Sequence, residues 1–205
     1  MEYHHDPELP LILSKLDRKY GFWRMAGSDE DAWNFCYFLP LLNPVDSIDD
    51  IKLVVPNSPQ MDWCESTPFF CSITETDRDV IRKLINMGDP LPPHTSENIM
   101  LKKIYQHSDE LSSSTPYAML IEVFVDNFIG VTNNHNSDHL NHVSLCLTHG
   151  TNSIFPPPEF TKHPGEYPIS NKTLSQGDGK WDRTKGILGW IIDGTKCTIE
   201  LPPKK

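Results

Sequence analysis

The chain has 205 residues, 38% of them hydrophobic and 22% charged, which is enough for one domain with a packed core under a charged surface. Its formal net charge is −10, from 18 Lys and Arg against 28 Asp and Glu. This balance argues against a general nucleic-acid coat, because sequence-independent binding to phosphates needs clustered cations. The 18 prolines interrupt the chain too often for one long helix or a coiled coil.

The N-terminal residues lack the basic start and apolar stretch of a secretory signal, and no apolar run reaches the roughly 20 residues that span a bilayer. The five cysteines are widely spaced and form no CxxC pair, so neither a disulfide framework nor a cysteine zinc site is supported. We therefore expect an intracellular protein of the cytoplasm or nucleus that is not secreted and has no membrane partner.

The first part of the chain is rich in β-branched and aromatic residues, which favour strands. Residues 1–9 are predicted to be an N-terminal tail, and the strand that follows ends in a turn at Asp17. Proline and glycine interrupt the later apolar runs and limit their length. The predicted strands cover residues 10–16, 33–40 and 51–55.

Apolar residues recur at helical spacing from Ser66 to Met87 and predict an amphipathic helix, with Gly88 as its C-cap. Several carboxylates of this segment are predicted to form the solvated face of the helix rather than an acid–base pair. They are Glu75, Asp77 and Asp79.

The segment over residues 88–116 is predicted to be a surface insertion with one short helical candidate, residues 98–106. Two apolar runs between Ala118 and Thr132 then flank the pair Asp126-Asn127, which predicts a hairpin turning at these two residues. Asp and Asn suit such a turn because their side chains tolerate its backbone geometry.

A second amphipathic helix is predicted over residues 137–149, capped by Ser137 or Asp138. Residues 155–182 are rich in Pro and Gly and are predicted to be a loop. The C-terminal strands, residues 186–201, are predicted to form a hairpin around Asp193-Gly194. Strands separated by single helices indicate an α+β fold, an antiparallel sheet with helices packed on one face.

Two carboxylates stand at strand ends, Asp17 after the first strand and Asp126 at the hairpin. A carboxylate in such a place is costly unless it is solvated, paired or bound to a cation. Two of them from different strands can share Mg²⁺, which prefers one or two carboxylates together with substrate phosphates. The alternative is that both are ordinary turn residues, and the spacing alone favours that alternative.

Five segments of the chain resemble the sequence motifs of one protein family. Residues 13–24 read LSKLDRKYGFWR, close to F-S-x-x-D-L-x-x-G-Y/F-x-x, and residues 59–70 read PQMDWCESTPFF, close to L-P-x-G-x-x-x-x-P-x-x-F. Phe124-Val-Asp-Asn127 is similar to Y/F-x-D-D, residues 139–143 to H-L-x-H-V/L, and Ile187-Leu-Gly to F-L-G. In this order the segments resemble the reverse transcriptase palm of a long-terminal-repeat retrotransposon of the gypsy class, over residues 10–205.

The resemblance implies a polymerase palm-like fold and templated DNA synthesis on RNA or DNA by two-metal phosphoryl transfer. The implied partners are a template-primer nucleic acid and a deoxynucleoside triphosphate, and the implied cofactor is Mg²⁺, held by Asp17 and Asp126. Asn127 would complete the catalytic set. The implied nucleotide contacts are Phe22 under the incoming sugar, Met61 in the nucleotide pocket, and Asp62 beside it; Leu188 and Gly189 would touch the primer.

Three departures from the family pattern bear on activity. Asn127 replaces the second Asp of the hairpin and removes one negative charge, while Asp62 stands where the family has Gly and would repel a triphosphate. The chain would also hold little of the fingers and none of the thumb, other segments of a polyprotein being the partners that supply them. We therefore expect weak or lost activity, as in a degenerate retroelement fragment. The alternative is a non-catalytic retroelement-derived binding or scaffold protein with a palm fold.

The histidines at positions 135, 139 and 142 have spacings that could place them on one helical face as metal ligands. The resemblance accounts for two of them as ordinary helix positions, His139 and His142. A solvated or helix-capping role is therefore favoured over a metal centre.

Overall fold

The structure, a computed structural model, describes residues 10–30, 32–39, 51–61, 63–94, 119–157 and 167–203. It is a mixed α+β chain with antiparallel strands and several helices, so the predicted α+β class is confirmed, whereas the palm-like fold stays a prediction. Two compact units are present, a larger one formed by the chain up to Lys19 and from Ile73 onward, and a smaller one from Tyr20 to Ser72. Among the described residues, no helix combines the length and apolarity needed to cross a membrane.

The predicted strands and the two predicted helices occur in the predicted order within the described ranges, with shifted bounds and several additional short elements. In chain order the strands are β1 (Ile12–Asp17), β2 (Tyr37–Phe38), β3 (Leu53–Val54), β4 (Met119–Phe124), β5 (Asn127–Thr132), β6 (Thr184–Ile187), β7 (Trp190–Asp193) and β8 (Thr198–Glu200). The α-helices are α1 (Ser66–Met87), α2 (Ser137–Ile154) and α3 (Asn171–Ser175), and short 3-10 helices cover Phe22–Arg24 and Ala32–Phe35.

The larger unit contains the antiparallel sheet β1-β5-β4, with β5 in the centre, and the antiparallel meander β6-β7-β8. The smaller unit contains the two-stranded pair β2-β3. Residues 167–182 run beside the edge of β1 that does not pair with β5, and there Leu13 and Asp182 exchange backbone hydrogen bonds. The β1 strand is therefore paired on both sides, which fixes the position of its C-terminal end.

One face of the sheet β1-β5-β4 packs into the core. Alternation along the strands puts Leu16, Phe128 and Ile121 on that face, where they join one buried cluster with residues of the helices. The helix residues in this cluster are Ile81 of α1, Leu140, Val143, Cys146 and Leu147 of α2, and Leu174 of α3. The opposite face carries Asp17 and Asn127 and leaves the apolar side chains of Leu120 and Phe124 exposed.

The predicted helix over residues 66–87 is confirmed with its bounds, because its apolar residues follow the 3.6-residue period of a helix. Gly88 ends it with a positive φ of 68°, and its N–H donates to the carbonyl of Leu84. Gly150 of α2 stands against Ile81 of α1, and a Cβ at Gly150 would overlap that side chain. The close packing of these two helices therefore depends on a glycine.

Three predicted boundaries are wrong. The hairpin turns at Val125-Asp126 rather than at Asp126-Asn127, since Asn127 already pairs with Asp17 and Phe124 as the first residue of β5. Helix α2 is capped by Asn136, whose side chain accepts hydrogen bonds from the backbone N–H groups of Asp138 and His139. It also runs beyond residue 149, to Ile154.

Three other segments also differ from prediction. Of the strand predicted over residues 33–40, only Tyr37 and Phe38 find a partner, in β3, while the residues before them form a 3-10 helix. The loop predicted over residues 155–182 contains α3, and its Trp181 enters the core. The C-terminal hairpin has a third strand, because Leu188 and Gly189, both with positive φ, turn the chain between β6 and β7. The helical candidate at residues 98–106 lies outside the described residues.

Candidate functional site

Strand pairing brings the three residues predicted to be catalytic together. In the register of β1 and β5, Asp17 lies directly opposite Asn127, and Asp126 is the turn residue just before it. The backbone N–H of Arg18 donates to the carbonyl oxygen of Asp126 over 3.2 Å, which ties the end of β1 to the hairpin turn. The backbones of two acidic residues that are far apart in the sequence thus lie together at one corner of the sheet.

The hairpin turn has an unusual backbone. Val125, its first central residue, has a φ of 57°, and Asp126 is not among the residues with positive φ. A turn with positive φ at the first central position alone favours glycine there, whereas a β-branched residue is strained in this conformation. Strained residues of this kind concentrate at functional sites, where the surrounding structure holds them in place. The same conformation occurs at Tyr20, Leu188 and Cys197, so it identifies a strained turn here and not by itself a site.

The two carboxylates repel each other. The pKa of Asp17 is raised above its ordinary value, mainly because burial disfavours the charged form and next because Asp126 is negatively charged. Asp178 raises it further, while Lys15, which forms an ion pair with Asp178 over 3.5 Å, lowers it. A divalent cation between the two carboxylates would relieve the repulsion, so the oxygen donors present fit Mg²⁺.

Asn127 acts on the site through its side-chain amide. Its Nδ2 donates to Oδ1 of Asp126 over 2.8 Å, which orients that carboxylate and occupies part of its hydrogen-bonding capacity. An Asp at this position would add a negative charge instead. With Asn127, the site therefore attracts a cation less than a site with two adjacent hairpin carboxylates would.

The site opens on the face of the sheet that does not contact the core. Asp17 shares this face with Lys15 and Asn127, while the next residues of each strand point to the core. The exposed rings and chains of Phe124 and Leu120 lie on the same face of β4. A ligand bound between the carboxylates would therefore lie on an open and partly apolar sheet surface.

The part of the chain that the structure describes contains no larger metal centre. Among the described residues, no set of three or more His, Cys, Asp and Glu side chains could hold a metal ion. Two of the three histidines considered from the sequence have other neighbours: Nε2 of His135 lies 2.8 Å from the carbonyl oxygen of Pro10, and Nε2 of His142 lies 3.5 Å from Sγ of Cys146. Burial lowers the pKa of His139, which disfavours its charged form.

The residues predicted to contact a nucleotide belong to the smaller unit. Phe22 is buried and stacks on Phe70, with 4.4 Å between ring centroids and 25° between ring planes. Met61 is exposed, and Asp62 lies outside the described residues. Their roles toward a nucleotide stay predictions.

One element of the site was missed by sequence reasoning. Asp77, which was placed on the solvated face of α1, is fully buried and forms an ion pair with Arg18, whose side chain is 1% exposed. The signal was present in the spacing, since Asp77 lies four residues from both Ile73 and Ile81 and so falls on the apolar stripe of the helix. A carboxylate in that stripe predicts a buried cationic partner.

Comparisons of the chain with protein-family models, with curated proteins and with solved structures found no match in any of the three.

Proposed function

We propose that the chain is a reverse-transcriptase-like domain with a palm fold, whose ancestral activity was RNA- or DNA-templated DNA synthesis and whose own polymerase activity is weak or lost. The observation that supports the proposal is the register of β1 and β5, which puts Asp17 opposite Asn127, the residue that follows Asp126 of the hairpin turn. The ordered motifs also point to Asp17 and Asp126.

The chemistry of the ancestral reaction would use these oxygens as ligands. Asp17 and Asp126 would hold Mg²⁺, which when bound supplies a Lewis acid for the charge that develops on a transferred phosphoryl group. Asn127 would orient Asp126 through the hydrogen bond that it already donates. Template-primer nucleic acid and a deoxynucleoside triphosphate would be the partners of an active site of this kind.

Two features support weak or lost activity. Asn127 leaves the hairpin with one carboxylate and binds that carboxylate through its amide, so less negative charge is offered to a cation. The chain as a whole carries a net charge of −10, whereas residues 160–205 have eight Lys and Arg against five acids. Favourable contact with a template-primer is therefore restricted to the C-terminal part and would weaken strongly with salt.

The direct test is primer extension by the purified full chain on RNA and DNA templates in the presence of Mg²⁺. We expect extension near background for the wild type, none for Asp126→Ala, and higher Mg²⁺ affinity and extension for Asn127→Asp. Asp138→Asn, at an exposed position at the start of α2, is the control and should match the wild type. Efficient extension by the wild type would contradict the loss of activity. Absence of Mg²⁺ binding in both the wild type and Asn127→Asp would refute the site.

The second candidate is a non-catalytic binding or scaffold protein that keeps the palm fold. The hydrogen bond between Asn127 and Asp126 favours it, because an amide partner stabilises the carboxylate without a cation. Calorimetric titration with Mg²⁺ and a deoxynucleoside triphosphate separates the two candidates. A polymerase-like site binds both together, whereas a scaffold binds neither.

A further inference from the structure

Arg18 follows Asp17 directly and enters the core beneath the carboxylate pair. Its guanidinium forms an ion pair with Asp77 of α1, with both side chains almost completely buried. The guanidinium carbon also lies 4.4 Å from the ring centroid of Phe128 and 4.2 Å from that of Phe155. The side chain is thus held by α1, by β5 and by the residue that ends α2.

The backbone of the same residue contacts the site. The N–H of Arg18 donates to the carbonyl oxygen of Asp126, and Arg18 forms an antiparallel bridge with Ile169 on its other side. The carbonyl that accepts this hydrogen bond belongs to the strained turn after Val125. Any displacement of Arg18 therefore moves Asp17, its neighbour in the chain, relative to Asp126.

We propose that the buried Arg18–Asp77 ion pair is a positioning element, which sets the separation of the Asp17 and Asp126 carboxylates and so their affinity for a divalent cation. The cation-binding part of this inference rests on the function proposed above, whereas the effect of the pair on the Arg18–Asp126 hydrogen bond does not.

A directional ion pair suits this task better than apolar packing. A buried pair is poor evidence for stability, because desolvation offsets much of the attraction, and its better-attested role is to select one arrangement over close alternatives. The planar guanidinium lies near two rings and is paired with Asp77, so three groups restrict its orientation. The end of β1 is thereby held in one place on α1.

The first test is amide hydrogen exchange followed by NMR in the full chain. The reference is the amide of Leu13, which belongs to β1 and donates to the carbonyl oxygen of Asp182. We expect Asp77→Asn to lower the protection of the Arg18 amide by at least about tenfold more than that of the Leu13 amide. Ile81→Val, one turn along α1, is the control that weakens the core, and it should lower both amides equally. Equal loss of protection at both amides in Asp77→Asn would overturn the proposal.

The second test is binding of Mn²⁺, followed by electron paramagnetic resonance as a probe for the Mg²⁺ site. We expect Asp77→Asn to weaken Mn²⁺ binding by about 10- to 100-fold, the usual cost of losing a group that orients a metal ligand, and Ile81→Val to leave it unchanged. The double variant Arg18→Met/Asp77→Leu replaces the pair by apolar side chains. It should fold and still bind Mn²⁺ at least about tenfold more weakly than the wild type.

The outcomes separate the two proposals. Absence of Mn²⁺ binding in both the wild type and Asn127→Asp refutes the proposed function, while hydrogen exchange at Arg18 still decides whether the pair positions the turn. A wild type that binds Mn²⁺ together with a folded double variant of equal affinity overturns the positioning role and leaves the proposed function standing. If Asp77→Asn does not fold, the double variant carries both measurements.

Discussion

Replacing Asp77 by asparagine keeps the shape of the side chain and removes its charge. Asp77 is 0% exposed and its partner Arg18 is 1% exposed, so the guanidinium would be left as a buried charge without its counter-ion. Arginine cannot escape by releasing its proton, and its two ring contacts are present in both proteins. The difference between the proteins therefore reports the loss of the ion pair.

We expect Asp77→Asn to lower the free energy of unfolding by about 3–5 kcal/mol, the usual cost of removing one member of a buried ion pair. For a chain of this size, that corresponds to a fall in Tm of roughly 6–20 °C. The loss is a large share of the roughly 5–15 kcal/mol by which domains are stable. Arg18→Met should be less harmful as the pH falls, because the Asp77 carboxylate that it leaves behind can take up a proton.

The assay is thermal and urea unfolding followed by circular dichroism. The double variant Arg18→Met/Asp77→Leu should be about as stable as the wild type or more stable, because no charge then remains in the core. Asp79→Asn on the same helix is the matched control, since Asp79 is 63% exposed and its ion pairs with arginines are worth about 0–1 kcal/mol.

Two results would refute this reasoning. A loss of less than about 1 kcal/mol in Asp77→Asn would mean that water or another group already compensates the guanidinium. A double variant as unstable as Asp77→Asn would show that the cost arises from packing and not from an unpaired charge.

Three further predictions concern the site and its support. Because the folded pKa of Asp17 lies above its ordinary value of 3.8, stability is lost as the pH rises through the interval between them. Asp17→Asn should therefore raise Tm at neutral pH by about 2–4 °C at most, with no gain below that interval, as calorimetry at several pH values will test. Gly150→Ala should cost about 1–3 kcal/mol by overlap with Ile81, against little change for Gly186→Ala, where a Cβ meets nothing; urea unfolding of both variants measures this. Val125→Gly should have a free energy of unfolding about 1 kcal/mol higher than that of Val125→Ala, because glycine adopts the positive φ without strain. Equal midpoints of urea unfolding in the two variants would contradict this explanation.

Local patterns predicted several elements well. Periodicity predicts the helix over residues 66–87, because one side of that helix packs into the core and its apolar residues follow the helical period. Its C-cap follows from the glycine after it. Strand β1 and the hairpin β4-β5 were found from their apolar runs and the polar residues between them. The hairpin turn was placed one residue late, since both Asp and Asn suit turns and only pairing with β1 draws Asn127 into the ladder.

The sequence by itself determined the types of the longer elements and the two acidic residues at strand ends, since both follow from residue chemistry over a few neighbouring positions. Only the tertiary structure decided that Asp17 faces Asn127, because register depends on contacts between strands that are distant in the chain. It also decided that Asp77 is buried against Arg18, since the helix period names a face but not the charge that meets it. Both outcomes depend on packing between distant parts of the chain, which local propensity does not encode.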